Sequence, residues 1–305
     1  MERRPHMELR HIRYFLAVAE EMNFTRAAEK LCIAQPPLSR QIQELEAELG
    51  TKLFVRKPHA LQLTEEGILF RQYAQQIVDL VKRSAEDVSE MEKGLQGMIY
   101  LASVEGQAPA LLSEWIAGFH EKYPHVTYSM WNGNSDDVVN RVMKGLCDLA
   151  VILEPHNAEG VESVPVYQEP WVAMIPEGHP LALEQKETIR MEELLPYELI
   201  IPSRESRLQE INGWFGEGEK PIVRCRIAHM LNAYELTKRG VGITIYPAAA
   251  ADLAEHSGIC IRKITEPKVM ASYVLIRNRS RALSRVAQEF FDYVEERTAA
   301  KLVQK

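Results

Sequence analysis

Near the N-terminus, apolar residues recur at helical spacing in three successive segments. Ile12, Phe15, Leu16 and Ala19 form one stripe with Arg10, Arg13 and Glu20 around it, which predicts a first helix over residues 8–19. A second, short helix is predicted to start at Thr25, a favourable N-cap, and to run through Ala27, Ala28 and Leu31 before a turn at Ile33–Gln35. In the third, Pro36 and Pro37 suit a helix opening, where their missing N–H groups cost nothing, and Leu38, Ile42, Leu45 and Leu49 follow at steps of four, three and four. Those four positions fall within about 60° of arc. Pro36, Ser39, Arg40 and Gln43 are therefore expected on the opposite face, and Gly50 at the helix end.

From Lys52 to Thr64 the pattern shortens to two extended pieces, Leu53–Val55 and Leu61–Leu63, around a turn at Lys57, Pro58 and His59. This predicts a two-stranded wing. Residues 68–93 contain neither Gly nor Pro, and Ala74, Ile77, Val81, Ser84, Val88, Met91 and Leu95 repeat at alternating steps of three and four. A helix of that length, about 40 Å, outruns a small domain, so a second copy of the chain is expected to cover the seam. Beyond Gly97 strand-like runs (Met98–Val104, Val126–Met130, Leu149–Leu153) alternate with helical patterns at Ala108–Lys122 and Ser135–Gly145, which predicts β-α-β units. The rhythm continues through Trp171–Ile175, Glu198–Ile201, Val223–Ala228, a helix at Leu231–Arg239, Gly242–Tyr246, Ala271–Ile276 and a closing helix through Val286, Phe290 and Val294.

At 305 residues, the chain suits roughly two to three domains. No apolar run approaches the roughly 18 residues of a membrane span, so a cytoplasmic location with no membrane partner is expected. Met1–His6 are set apart as a leader before a start at Met7. Cys32, Cys147, Cys225 and Cys260 lie far apart, which argues against a disulfide framework and a zinc ribbon. The net charge of −7 hides a polarity: residues 1–64 hold ten Lys/Arg against eight Asp/Glu, a balance of +2, leaving −9 for the remainder. Around the third helix the chain avoids acid, with no carboxylate between Glu29 and Glu44 and none from Leu49 to Thr64, where Lys52, Arg56 and Lys57 stand. Such a surface tolerates phosphate. Gln35, Ser39, Arg40 and Gln43 supply donors that reach base edges from a helix lying in a major groove.

The runs Leu9–Glu20 (LRHIRYFLAVAE), Asn23–Leu31 (NFTRAAEKL), Ala34–Leu49 (AQPPLSRQIQELEAEL) and Leu53–Gly67 (LFVRKPHALQLTEEG) resemble the N-terminal signature of LysR-type transcription regulators. The resemblance implies that Gln35, Pro36, Ser39 and Arg40 face the major groove, that Thr25 and Arg26 sit near the backbone, and that the wing around Arg56 and Lys57 approaches phosphates or the minor groove. His59 stands where the family places a second wing arginine, implying weaker, pH-sensitive contact there. Glu121–Val126, Gly145–Ile152 and Gly240–Pro247 resemble family landmarks of the sensor. The implied architecture is a multidomain α/β protein: a winged helix-turn-helix (residues 7–64), a long linker helix (65–96), and a two-lobed α/β effector domain (97–305) resembling periplasmic solute-binding proteins. Lobe I is expected to comprise residues 97–168 and 268–305 and lobe II residues 169–267, the chain crossing near Glu169 and Pro267.

Helix starts favour anions, and they point to effector-binding candidates in the cleft. Glu105, Gly106 and Gln107 follow a strand and open a helix; Ser135 is read as the cap of the next helix; Ser203 and Arg204 follow a strand; His229 starts another helix. Glu105 opposes a simple acidic effector unless a cation or amine accompanies it. His120 to His125 resembles a zinc-protease signature with two residues too many and a proline that stops the helix. Asp136 and Asp137 complement a helix dipole more readily than they hold a metal. The expectation is a regulator and not an enzyme, needing no cofactor beyond a small-molecule co-inducer. Its expected partners are double-stranded promoter DNA with an imperfect inverted repeat, further copies giving a homodimer and homotetramer, and RNA polymerase where it activates. From the residues alone two alternatives stay open: an enzyme or receptor with a bystander helix-turn-helix, and a DNA-binding scaffold without an effector.

Overall fold

The computed structural model describes residues 7–57, 60–89, 95–156, 159–184, 186–216, 218, 220–251 and 258–303. The chain divides into two compact units, Met1–Glu92 and Lys93–Lys305.

In the first unit, α1 (Leu9–Glu21) buries Ile12, Phe15, Val18 and Ala19 on one face. The second helix, α2 (Phe24–Lys30), begins one residue before the expected Thr25. Its cap is Asn23, whose Oδ1 accepts the backbone N–H groups of Thr25 (2.8 Å) and Arg26 (3.1 Å). Asn outranks Thr at this position, because its carbonyl reaches two orphan donors at once. Gln35, expected in the turn, is already the first residue of α3 (Gln35–Leu49), and Gly50 (φ 70°) ends that helix in the left-handed region. Leu38, Ile42 and Leu45 are buried as the spacing predicts, but Leu49 is 37% exposed.

The buried position near that end belongs to Glu46, only 6% exposed. Its Oε1 accepts the backbone N–H groups of Leu53 (2.9 Å) and Phe54 (3.2 Å), and its Oε2 takes Lys52 Nζ at 2.6 Å. A carboxylate is tolerated inside because each oxygen has a donor. It fixes the entry to the wing, where β1 (Phe54–Lys57) pairs antiparallel with β2 (Ala60–Leu63), Phe54 opposite Leu63. The expected turn residues Pro58 and His59 lie outside the described residues.

The long helix α4 (Glu65–Ser89) starts beneath the wing, with Gly67 N–H donating to Thr64 Oγ1 at 2.9 Å. A Cβ on Gly67 would collide with the Leu53 carbonyl, so glycine permits this close approach. The expected seam is only partly exposed. Ala74 is fully buried in the helix-turn-helix core beside Phe70 and Val78, while Leu69, Tyr73, Ile77 and Leu80 form the exposed apolar row. Phe70 draws that face inward, packing edge-on against Phe15 at 4.8 Å between centroids. The Val88 side chain and Met91 of the predicted seam lie outside the described residues.

The second unit is built on one path of strands in the order β4 (Val126–Asn132), β3 (Gly97–Ser103), β5 (Leu149–Leu153), β12 (Met270–Asn278), β6 (Val161–Pro176), β10 (Ile243–Pro247), β8 (Glu198–Pro202) and β9 (Ile222–Ile227). β11 (Ile259–Glu266) adds to β6 and to β7 (Thr188–Arg190). The first lobe carries α5 (Ala108–Lys122), α6 (Ser135–Met143) and the final α10 (Arg285–Val303); the second carries α7 (Pro180–Leu183), α8 (Glu205–Gly213) and α9 (Met230–Lys238). β6 is the shared element. Residues 161–170 pair with β12, whereas residues 171–176 pair with β10 and β11. No described helix is long and apolar enough to cross a membrane.

Glu46→Ala strips the acceptor from two buried N–H groups and is expected to destabilise the first unit by about 2–3 kcal/mol, Glu46→Gln by less. Denaturant titration of the full chain, read by hydrogen exchange in the wing, compares them; equal losses would refute the acceptor role.

Candidate functional site

Two surfaces hold the predicted residues. On α3, Pro36, Arg40 and Gln43 are exposed and Gln35 and Ser39 half-buried, so all five lie clear of the Leu38–Ile42–Leu45 stripe. Arg40 is 80% exposed, and its Nε meets Glu44 Oε1 at 3.0 Å. A pair this open to water is weak, and a phosphate or guanine edge competes for the guanidinium. Thr25 and Arg26 stand exposed at the first turn of α2, and Arg26 Nη2 donates to the Glu21 carbonyl at 2.6 Å. Arg56 and Lys57 are placed by register on β1, opposite Leu61 and Ala60. His59 lies outside the described residues.

The second surface is a cavity of about 150 Å³ between the lobes of the sensor unit. Glu105, Ser135 and Asp136 line it from one lobe, Ser203, Arg204 and Arg207 from the other, with Trp171, Tyr246 and Tyr273 as aromatic walls. Arg204 reaches across to Asp136, its Nη2 at 2.7 Å and Nε at 3.0 Å from Oδ1. Arg207 is 4% exposed. Its guanidinium lies 4.8 Å from the Trp171 ring centre and donates to the Glu154 carbonyl and to Glu210. Burial lowers its pKa, which the neighbouring Glu210 partly opposes.

Tyr273 donates its hydroxyl to Glu169 Oε1 at 2.7 Å and accepts Gln107 N–H at 3.3 Å. Burial, reinforced by the charge of Glu169, pushes its pKa up; burial and then Glu105 do the same for Tyr246. Both phenols stay protonated, and Tyr273 is held by its two hydrogen bonds.

Of the effector candidates, Glu105, Ser135, Ser203 and Arg204 line the cavity, and Gly106, Gln107 and His229 do not. Gly106 (φ 86°) makes the turn, where a Cβ would stand 2.6 Å from the Tyr273 hydroxyl. Gln107 gives its backbone N–H to the Tyr273 hydroxyl. His229 stands outside, with Nδ1 3.1 Å from Glu105 Oε1. Ser135 is not the helix cap: Asn134 Oδ1 accepts Asp137 N–H at 3.0 Å, while Ser135 Oγ donates to the Leu153 carbonyl at 3.2 Å. Arg207, Trp171, Tyr246 and Tyr273 are functional candidates that the periodicity does not single out, because aromatic and buried positions in strands read as core. Arg207 occupies an inward position of a helix whose only apolar markers are Leu208 and Ile211.

Among the described residues no group of three His, Cys, Asp or Glu is placed to hold a metal ion. The His120–His125 segment is split by the end of α5 at Lys122.

Comparison with known proteins places both units. Residues 9–68 match the bacterial regulatory helix-turn-helix protein of the lysR family, and residues 92–299 match the LysR substrate binding domain. The chain is 31% identical over 247 residues to the HTH-type transcriptional regulator YnfL of Escherichia coli (strain K12), covering 80% of this chain and 83% of that protein. It is 27% identical over 283 residues to BenM of Acinetobacter baylyi, covering 89% and 90%. Full-length CbnR, solved complexed with its target DNA, superposes with a TM-score of 0.75 at 27% identity, covering 95% of this chain and 99% of that one. With both units matched in order along the sequence, the chain belongs to the LysR family: it is a transcriptional regulator with a helix-turn-helix DNA-binding domain and an effector-binding domain, and not an enzyme.

Proposed function

We propose that α3 enters the major groove of an imperfect inverted repeat in promoter DNA, with Gln35, Pro36, Ser39, Arg40 and Gln43 at the bases, Thr25 and Arg26 at the backbone, and the wing around Arg56, Lys57 and His59 along the flanking phosphates. The observation that carries this reading is the outer face of α3: polar, exposed, and held rigid from behind by Leu38, Ile42, Leu45 and the Glu46 clasp. CbnR, solved on its target DNA, supports it. The working division is a DNA-binding domain over 7–64, a dimerising segment over 65–96 that contains α4, and an effector domain over 97–305, acting in the cytoplasm.

The exposed row Leu69, Tyr73, Ile77 and Leu80 suits pairing of two such helices, and two dimers then assemble into a tetramer. A small-molecule co-inducer binds in the cleft lined by Ser135, Ser203, Arg204 and Arg207. Its binding shifts the packing of sensor domains and so the spacing of the DNA-binding pairs and the bend of the DNA. The target is a metabolic operon, activated or repressed according to that geometry, with RNA polymerase as partner in activation. HcaR of Escherichia coli, a transcriptional activator 28% identical over 300 residues, supports the activating mode.

Fluorescence anisotropy on the chain's own upstream DNA, with a scrambled duplex as control, tests the first part. Arg40→Ala is expected to weaken specific binding about 5- to 150-fold, corresponding to about 1–3 kcal/mol, and to relax preference at one base. An equal loss on scrambled DNA would reduce Arg40 to a phosphate contact. Ile77→Asp sets a charge in the helix pair and is expected to yield monomers in sedimentation analysis; a dimer that survives it places the interface elsewhere.

A further inference from the structure

Four charged side chains line the cleft cavity: Glu105, Asp136, Arg204 and Arg207. Each already has an opposite or complementary partner within the chain. Asp136 holds Arg204 across the cleft, and Arg207 holds Glu210 and the Glu154 carbonyl. Glu105 is engaged by lobe II through both oxygens: Oε1 lies 3.1 Å from His229 Nδ1, and Oε2 accepts the backbone N–H of Met230 at 2.5 Å. Met230 is the first residue of α9, so the carboxylate of one lobe occupies the anion position at the N-terminus of a nine-residue helix in the other. The His229 side chain makes no capping bond to its own helix. The cap comes from the opposite lobe.

We infer that Glu105 is a specificity-determining residue: an internal carboxylate that takes the anion position at α9, latches the lobes together and so denies that position to an acidic effector, favouring an uncharged one. The inference rests on the reading of this cleft as the effector site.

A charged effector competes with one of these three engagements, whereas a neutral one leaves all three in place. The cavity offers neutral chemistry in the right place. Trp171 is fully buried on its wall, and its indole N–H has no hydrogen-bond partner among the described residues. Ser203 and Tyr246 add hydroxyls, the latter kept protonated by burial. At about 150 Å³, the space takes a body about the size of benzene. The carboxylate that seemed, from the sequence, to oppose an acidic effector by repulsion opposes it instead by occupancy.

The test uses acetate as a stand-in for the Glu105 carboxylate and acetamide as its uncharged counterpart, both at matched ionic strength with the full-length chain. The readout is hydrogen-exchange protection of the Met230 amide. In the native chain acetate is expected to change nothing. Glu105→Ala is expected to lower protection about tenfold or more, the loss of one charge-assisted hydrogen bond, and acetate but not acetamide to restore it. Glu105→Gln, which keeps the side chain's size and one acceptor oxygen, is expected to fall between them and serves if the alanine variant does not fold. Unchanged protection in the variants, or acetate protecting the native chain as well as Glu105→Ala, would overturn the latch. Because no effector enters this measurement, its result stands apart from whether the cleft binds an effector at all.

Discussion

Hydrogen bonding along β6 ties both lobes of the sensor to a single strand. Its first ten residues ladder with β12 and its last six with β10 and β11, so the lobes share one pleated backbone at the floor of the cleft. Such a strand can twist and bend, but it cannot let the lobes separate without breaking a ladder. Trp171 sits just past the crossing and walls the cavity, and neighbouring Glu169 joins Tyr273 of one lobe to the Ala249 N–H of the other at 2.7 Å each. The site is thus built where two packing units meet on shared backbone.

Charge is arranged around that strand in a consistent way. The sensor buries Arg207 and Arg262, costly groups to desolvate, and gives each an acceptor: Arg207 the Glu154 carbonyl, Arg262 the Glu184 carbonyl at 2.5 Å. Arg207 stacks on Trp171 as well, which a flat, weakly hydrated guanidinium does better than an ammonium. The cross-cleft contacts Glu105–Met230, Arg204–Asp136 and Arg207–Glu154 all run from one lobe to the other. They hold the two lobes to each other across the cleft.

In the DNA-binding unit one helix serves two purposes. The inner side of α4 supplies Phe70 and Ala74 to the core that braces α3, while the outer side leaves Leu69, Tyr73, Ile77 and Leu80 uncovered. Any surface that covers that row therefore bears on the same helix that backs the recognition unit. The wing is held by Glu46 from α3 and by Thr64, whose Oγ1 donates to the Lys52 carbonyl at 2.7 Å.

Local pattern sufficed wherever local forces decide. Helical periodicity, Gly50 and the paired prolines identified α1 and α3, and the alternation of runs identified most strands and helices of the sensor, because each of those choices is settled within a few residues. The same pattern failed where a polar side chain takes an apolar position. Glu46 displaced Leu49 from the α3 stripe, Arg207 hid α8, and Arg262 hid β11, each buried where a backbone group distant along the chain meets it: the Leu53 N–H, the Glu154 carbonyl and the Glu184 carbonyl. Asn23 displaced Thr25 as a cap, and Ala74 left the expected seam for the core once Phe70 was packed. The cleft residues divide in the same way: Glu105 and Arg204 were legible beside strand ends, but that each reaches a partner in the opposite lobe was not. The sequence by itself determined the family, most of the elements and the exposed polar face of α3. Tertiary structure alone decided which charges are paired across the cleft, because residues 125 positions apart meet there only after β6 has brought both lobes onto one strand.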